Sequence, residues 1–240
     1  MEKSLSTLRA PRAAHLPRQE RMDSILSAAR HVFSDKGYEA ASMAEIGACV
    51  GVSEAAIYKY FDSKRSLLLS VIQDWFLGMI AGNREKVAGV YGVRSRVHLL
   101  IWQHLNTIRD ASDLCRLFYA EVRSRPDYVG SKLHSLNREA TQLLTLEIDE
   151  GIATGLIRSD IPVRLVRDIV FGGIEHHVSA FLAGHGQLDC DAIADSMTSI
   201  LFEGVQARKV SVHDAIERIE HVAERLERAL GPKPVRRGGR

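Results

Sequence analysis

The chain has 240 residues, of which 45% are hydrophobic and 26% charged. That is enough for one or two domains with a sizeable core. A formal net charge of +2 excludes a surface that attracts polyanions by bulk charge, so any hold on nucleic acid must come from where the charges sit. No segment approaches the roughly eighteen uninterrupted apolar residues of a membrane helix, and the N-terminus, with Arg9, Arg12 and Arg18, has no apolar signal core. The protein is therefore expected in the cytoplasm.

Residues 1–17 carry Lys3, Arg9 and Arg12 against Glu2, which predicts a flexible basic arm. Met22, Ile25, Leu26, Ala29, Val32 and Phe33 then recur at helical spacing over residues 20–36, closed by Gly37. Ser42 can cap a short helix, with Glu45 three residues on to complete a capping box. Met43, Ile46 and Val50 form its apolar face. Gly51 stands where a left-handed residue is wanted, and Ser53 is a second N-cap. This is a helix-turn-helix pattern. Its second helix, Glu54 to Phe61, holds to the body through Ile57 and Phe61 and turns Ala55, Ala56, Tyr58, Lys59 and Tyr60 outward. Ser63 can cap a long helix whose inner face carries Leu67, Leu68, Val71, Ile72, Trp75, Phe76, Met79 and Ile80.

Gly51-Val52-Ser53, Ile57-Tyr58, Tyr60-Phe61, Ser63-Lys64 and Leu67-Leu68, with Ile25, Ala29, Phe33, Gly37 and Tyr38 upstream, resemble the signature of the TetR family of transcriptional regulators over about residues 20–72. Val50 and Gly47 stand where that family usually has alanine, and Ser42 where it has threonine. Glycine inside a helix costs about 1 kcal/mol against alanine, so Gly47 is expected to loosen its helix slightly. The resemblance implies an all-α fold: a three-helix DNA-binding domain at 18–66 and a helical ligand-binding and dimerisation domain at 67–209. By the same resemblance, Ser42, Tyr58, Tyr60 and Lys64 hold DNA phosphates, while Glu54, Ala55, Ala56 and Lys59 face bases. Lysine can donate to guanine, glutamate accept from cytosine and alanine methyls touch thymine.

Beyond residue 93, stretches 95–109, 112–123, 127–153, 162–183 and 190–208 each carry an apolar stripe, punctuated by Ser112, Pro126, Gly155, Pro162, Gly184 and Gly186. The last two resemble the pair through which TetR-family regulators form a four-helix dimer interface, and Gly172 with Gly173 would permit close helix approach. In segment 210–230, Val212, Ile216, Ile219, Ala223, Leu226 and Leu230 form a short heptad seam. Fewer than three heptads rarely stand alone, so this helix should pack on the body or on a partner. Residues 231–240, with Lys233, Arg236, Arg237 and Arg240, read as a basic disordered tail. Cys49, Cys115 and Cys190 are far apart and read as small buried hydrophobes.

The regulatory logic implied is a population shift: a homodimer binds a pseudo-palindromic operator, most simply as a repressor, with recognition helices roughly 34–36 Å apart. A small apolar effector favours a state in which that spacing is lost. Candidate pocket residues combine aromatic and polar groups on the inner helices: His98, Trp102, His104, Phe118, Tyr119, Arg123, Asn137, Glu175, His176 and His177. Gly155-Leu156-Ile157-Arg158 and the neighbouring group at 175–177 resemble fatty-acid-responsive members, which bind long-chain acyl-CoA, and a basic mouth at Arg123 or Arg125 suits such a ligand. No cofactor is called for. The chain has no Glu-x-x-His pair, HExxH, P-loop or nucleophile elbow, which argues against an enzyme. Glu175, His176 and His177, adjacent on a helix, point in different directions and cannot converge on one metal. The remaining alternatives are an architectural DNA binder and a sensor of some other small molecule or of a metal.

Overall fold

A computed structural model describes residues 17–205 and 212–230; the basic arm and tail expected at the two ends lie outside the described residues. These residues form helices α1 (Arg18–Ala40), α2 (Met43–Cys49), α3 (Glu54–Ile57), α4 (Lys64–Ala88), α5 (Val93–Asp110), α6 (Ser112–Leu117), a π-helical turn (Phe118–Arg123), α7 (Lys132–Ala153), α8 (Val163–Leu182), α9 (Cys190–Val205) and α10 (Val212–Leu230). There is no strand among the described residues. The all-α expectation holds.

Local rules set the first three helices. Gly37, at φ 77°, breaks α1 where the sequence placed its end, and residues 38–40 add one turn beyond the kink. Ser42 and Glu45 close the capping box: the Ser42 hydroxyl accepts from the Glu45 N–H, and the Glu45 carboxylate accepts from the Ser42 N–H, both at 3.2 Å. Gly51 takes the left-handed conformation at φ 66°, and Ser53 Oγ accepts from the Ala56 N–H at 3.2 Å. The α-helical part of the second helix is shorter than expected. It ends at Ile57 and continues as a tight turn, with Tyr60 N–H bonded to the Ile57 carbonyl at 2.8 Å.

Gly47 is more than a loosened helix residue. A Cβ there would lie 2.6 Å from the Val52 carbonyl oxygen, and the Val52 N–H donates back to the Gly47 carbonyl at 2.9 Å. The turn backbone packs onto α2 at a distance that only glycine allows.

The core does not divide at residue 66. Ile25, Phe33, Ile46, Ile57 and Leu68 share one buried cluster with Phe76, Phe118, Val122 and Leu136. A second cluster joins α5, the far part of α7, α8 and α9 through Ile101, Leu105, Ile148, Ile174 and Phe202. Trp75 packs against both. Helix α4 therefore runs without interruption from the reading unit into the effector-side bundle.

One expectation is corrected. Cys115 and Cys190 are buried but Cys49, at the end of α2, is exposed. On α10, Ile216, Ile219, Val222 and Leu226 are exposed, so at these positions the chain's own body does not cover the helix, which leaves packing on a partner as the expectation. Among the described residues, no helix is long and apolar enough to cross a membrane.

Candidate functional site

The exposed edge of the helix-turn-helix is built from α3 and its approaches. Ile57 and Phe61 are buried and anchor it, leaving Glu54, Ala55, Tyr58 and Lys59 exposed and Ala56 half-buried. Ser42 accepts a bond from α2, which leaves its hydroxyl hydrogen free to donate outward at the α2 N-terminus, where the helix dipole favours anions. Tyr60 is half-buried, with the Arg18 guanidinium 5.1 Å over its ring.

Lys64 makes contacts that the sequence pattern did not suggest. Its ammonium donates to the carbonyls of Tyr38, Glu39 and Ala41 at 2.8, 3.1 and 3.0 Å and sits 4.6 Å from the Tyr38 ring centroid. An ammonium has three donors. All three are taken up by carbonyls at the C-terminal end of α1.

A cavity of about 500 Å³ opens between α4, α5, the π-helical turn, α7 and α8. Trp75, Phe76, Met79, Ile108, Phe118 and Phe171 make its apolar wall, and Arg123, Arg138, Arg164 and Arg167 make its basic side. The π-helical turn, with its extra residue per turn, presents Phe118, Tyr119 and Arg123 to this space. Arg123 Nη2 lies 2.9 Å from Glu175 Oε2, and its guanidinium stands 5.3 Å from the Tyr119 ring centroid. Burial, reinforced by the Glu175 carboxylate, pushes the Tyr119 hydroxyl up to about 12. His104 meets the Phe171 ring edge-on at 4.9 Å, and burial pulls its imidazole down to about 4. It is a neutral wall residue at neutral pH. Burial likewise raises the Cys115 thiol to about 12, an inert group.

The outer side of the same turn is tied to the reading unit. Arg65, in the first turn of α4, donates through Nη1 to the Glu121 carbonyl at 3.2 Å and through Nη2 to Asp127 Oδ2 at 3.1 Å. One face of the turn thus borders the cavity while the other is held from the base of α4.

Residues 25–71 match the family described as bacterial regulatory proteins, tetR family, and residues 74–204 match the C-terminal region of YsiA-like proteins. The chain belongs to the TetR family. The fatty acid metabolism regulator protein of Bacillus subtilis is 24% identical over 181 residues, covering 75% of this chain and 93% of that one. The transcriptional repressor KstR2 of Rhodococcus jostii is 24% identical over 190 residues, covering 77% and 91%. In fold the chain is similar to the Bacillus subtilis transcriptional regulator FadR crystallised with stearoyl-CoA, with a TM-score of 0.68 at 24% identity over 76% of this chain and 98% of that one. As a TetR-family member it is a DNA-binding transcriptional regulator and not an enzyme.

Within this regulator the residues expected at the pocket divide. His104, Phe118, Tyr119, Arg123, Asn137 and Glu175 all line the cavity, and Asn137 is held there by a 3.0 Å bond from its Nδ2 to the Tyr128 hydroxyl. The other four do not. His98 and Trp102 turn toward α9, with His98 Nε2 2.8 Å from Asp195 Oδ1 and Trp102 Nε1 donating to Asp191 Oδ1 at 2.6 Å. His176 and His177 are exposed, since only every third or fourth residue of α8 can face inward. Arg125 is exposed and paired with Glu121 at 3.2 Å, away from the cavity. The sequence reading missed Arg164, Arg167 and Phe171, which share a helical face with Glu175, and His134, Arg138 and Thr141, which share one with Asn137. That spacing was the available signal.

Proposed function

We propose that this regulator binds a pseudo-palindromic operator as a homodimer, acts as a repressor, and is released by an acyl-CoA whose apolar chain occupies the cavity. The reading divides the chain into an arm at 1–17, a DNA-reading unit at 18–66, an effector and dimer unit at 67–209 and an added helix at 210–230. Glu54, Ala55, Ala56 and Lys59 face base edges; Ser42, Tyr58 and Tyr60 position phosphates, with Lys64 bracing the base of the reading unit. Support for the dimer comes from Leu165 and Ile169 on α8 and Ile200 on α9, large apolar side chains left exposed on the two helices expected to form a four-helix bundle.

One observation carries the effector class: a cavity with one apolar wall and one arginine-rich side, of a size within the roughly 300–1,000 Å³ of small-molecule sites. An amphipathic anion with a long hydrocarbon portion matches both halves. Related proteins named for fatty acid metabolism and solved with stearoyl-CoA support that class. An effector acts only through its different affinity for the operator-binding and released states. Arg123 supplies the means: an anionic group that competes for it loosens the Arg123–Glu175 pair and disturbs the turn that Arg65 holds.

The test is fluorescence anisotropy of labelled operator DNA with stearoyl-CoA. At least a tenfold loss of operator affinity is expected, with stearoyl-CoA also raising the melting temperature. No release at saturating stearoyl-CoA removes this effector class.

A further inference from the structure

Burying a carboxamide without a partner is unfavourable, so folds place few of them and satisfy those they keep. Among the described residues four polar side chains are buried: Asn83, Gln103, Asn106 and Thr198. The first three line one pocket of about 480 Å³ beside α4 and α5, separate from the effector cavity but sharing Trp75 and Thr107 with it as a common partition. Asn83 is 7% exposed and its carboxamide makes no hydrogen bond among the described residues. Gln103, at 3%, has both amide atoms unpartnered. Asn106 donates to the Trp102 carbonyl at 2.8 Å, which leaves its oxygen as an acceptor.

The rim has a charge pattern to match. Arg30 of α1 and Lys86 of α4 line the pocket and have no carboxylate partner among the described residues. Arg109 is held by Asp110 at 2.9 Å, and Asp191 is occupied by the Trp102 indole. Two exposed cations, Arg30 and Lys86, share the lining of this pocket with three buried amides and with the Asp191 carboxylate.

We propose that this pocket binds a phosphate-bearing polar group flanked by hydroxyl or amide functions, with the anion at Arg30 and Lys86 and the polar flank against Asn83, Gln103 and Asn106. The group comes from one of two sources: the head of the effector whose chain lies beyond Trp75, or a separate small phosphorylated molecule. Arg30 lies on α1, so either ligand touches the DNA-reading unit directly. The first source rests on the acyl-CoA reading above; the site itself does not.

Calorimetry on the full chain tests it with coenzyme A, stearate and stearoyl-CoA as probes and Asn83→Leu and Lys86→Glu as variants. Ligand-free Asn83→Leu should melt no lower than the wild type, because leucine fills a similar volume without an unpaired amide. Lys86 is exposed, and its substitution leaves the core intact. Coenzyme A should bind the wild type and bind both variants at least tenfold more weakly, while stearate binds all three alike. A parallel loss for stearoyl-CoA identifies the pocket as the seat of the effector's head; unchanged stearoyl-CoA binding identifies a separate site. Equal coenzyme A binding by all three proteins, or none by the wild type, overturns the proposal. The readout is binding and not operator release. It can therefore fail while stearoyl-CoA still frees DNA, or succeed while it does not.

Discussion

The DNA-reading unit and the effector cavity are built by opposite means. In the reading unit the deciding contacts join near neighbours: Ser42 with Glu45, Ser53 with Ala56, Gly47 with Val52. In the cavity they join distant elements: Arg123 of the π-helical turn with Glu175 of α8, and His104 of α5 with Phe171 of the same α8. The first kind of contact fixes the local shape of the helix-turn-helix from a few residues, although its core is continuous with Phe76, Phe118 and Leu136 beyond it. The second yields a space whose shape depends on how several helices are disposed, so a ligand that moves one of them alters all the walls. A rigid reader coupled to an adjustable cavity suits a regulator that keeps its DNA-facing surface and changes its spacing.

The strongest way to break that division is at Gly47. With its Cβ position 2.6 Å from the Val52 carbonyl oxygen, Gly47→Val forces α2 and α3 apart where backbone faces backbone. A loss of about 2–4 kcal/mol in the stability of the reading unit is expected, with operator affinity falling at least a hundredfold. Stearoyl-CoA binding should stay within a few-fold of the wild type, because no residue of α2, α3 or the turn between them lines the cavity. Measured operator binding within tenfold of the wild type would mean that the reader tolerates the shift and is not locally specified.

How far each region could be read from the chain follows from the same contrast. The capping box, the left-handed Gly51 and the second cap at Ser53 have composition signals within three or four residues, and all appear where the pattern put them. The bonds of Lys64 were not legible because its partners, the carbonyls of Tyr38, Glu39 and Ala41, are 23 to 26 residues away. In the cavity, Glu175 stood out as a charge in an apolar helix, but its neighbours His176 and His177 were taken with it, although successive helix residues point about 100° apart. Arg164, Arg167 and Phe171 sat on the right face and were passed over. A π-helical turn has no composition signature at all, which is why 112–123 read as one continuous helix.

His104 sharpens the contrast by proton linkage. Its folded value of about 4 lies below the ordinary 6.5. Between those values the unfolded chain binds a proton that the folded chain refuses. The stability it contributes is therefore complete above about pH 6.5 and is lost as pH falls toward 4. At 1.36 kcal/mol per pH unit the full shift corresponds to about 3–4 kcal/mol, and water reaching the half-buried ring from the cavity reduces the loss below that. Denaturant unfolding of the wild type against His104→Gln should show the difference between them shrinking or reversing across that range. A constant difference would mean that the imidazole is solvated and lies outside the apolar wall.

The smallest change in stability, and the most telling for the coupling, is expected at Arg65. Its ion pair with Asp127 is largely exposed on the aspartate side, with side-chain exposures of 31% and 70%, so Arg65→Ala should cost no more than about 1 kcal/mol. The bond to the Glu121 carbonyl is a different matter, since it fixes the π-helical turn to the base of α4. Without it the cavity and the reader keep their own structures but lose the bond that ties the π-helical turn to the base of α4. Operator affinity without effector and stearoyl-CoA affinity without DNA should each stay within about threefold of the wild type, while the tenfold release by stearoyl-CoA falls below about threefold, a loss of at least ~0.7 kcal/mol of coupling. Coupling between two ligands is reciprocal, so operator DNA should lose its effect on stearoyl-CoA affinity by the same factor. Asp127→Asn, which removes the ion pair and leaves the Glu121 bond, should retain most of the coupling. If Asp127→Asn uncouples as fully as Arg65→Ala, the surface ion pair is the connection and the turn is not. Should neither variant uncouple, the signal must pass through the shared core around Phe76 and Phe118, and reader and cavity would be one packed body.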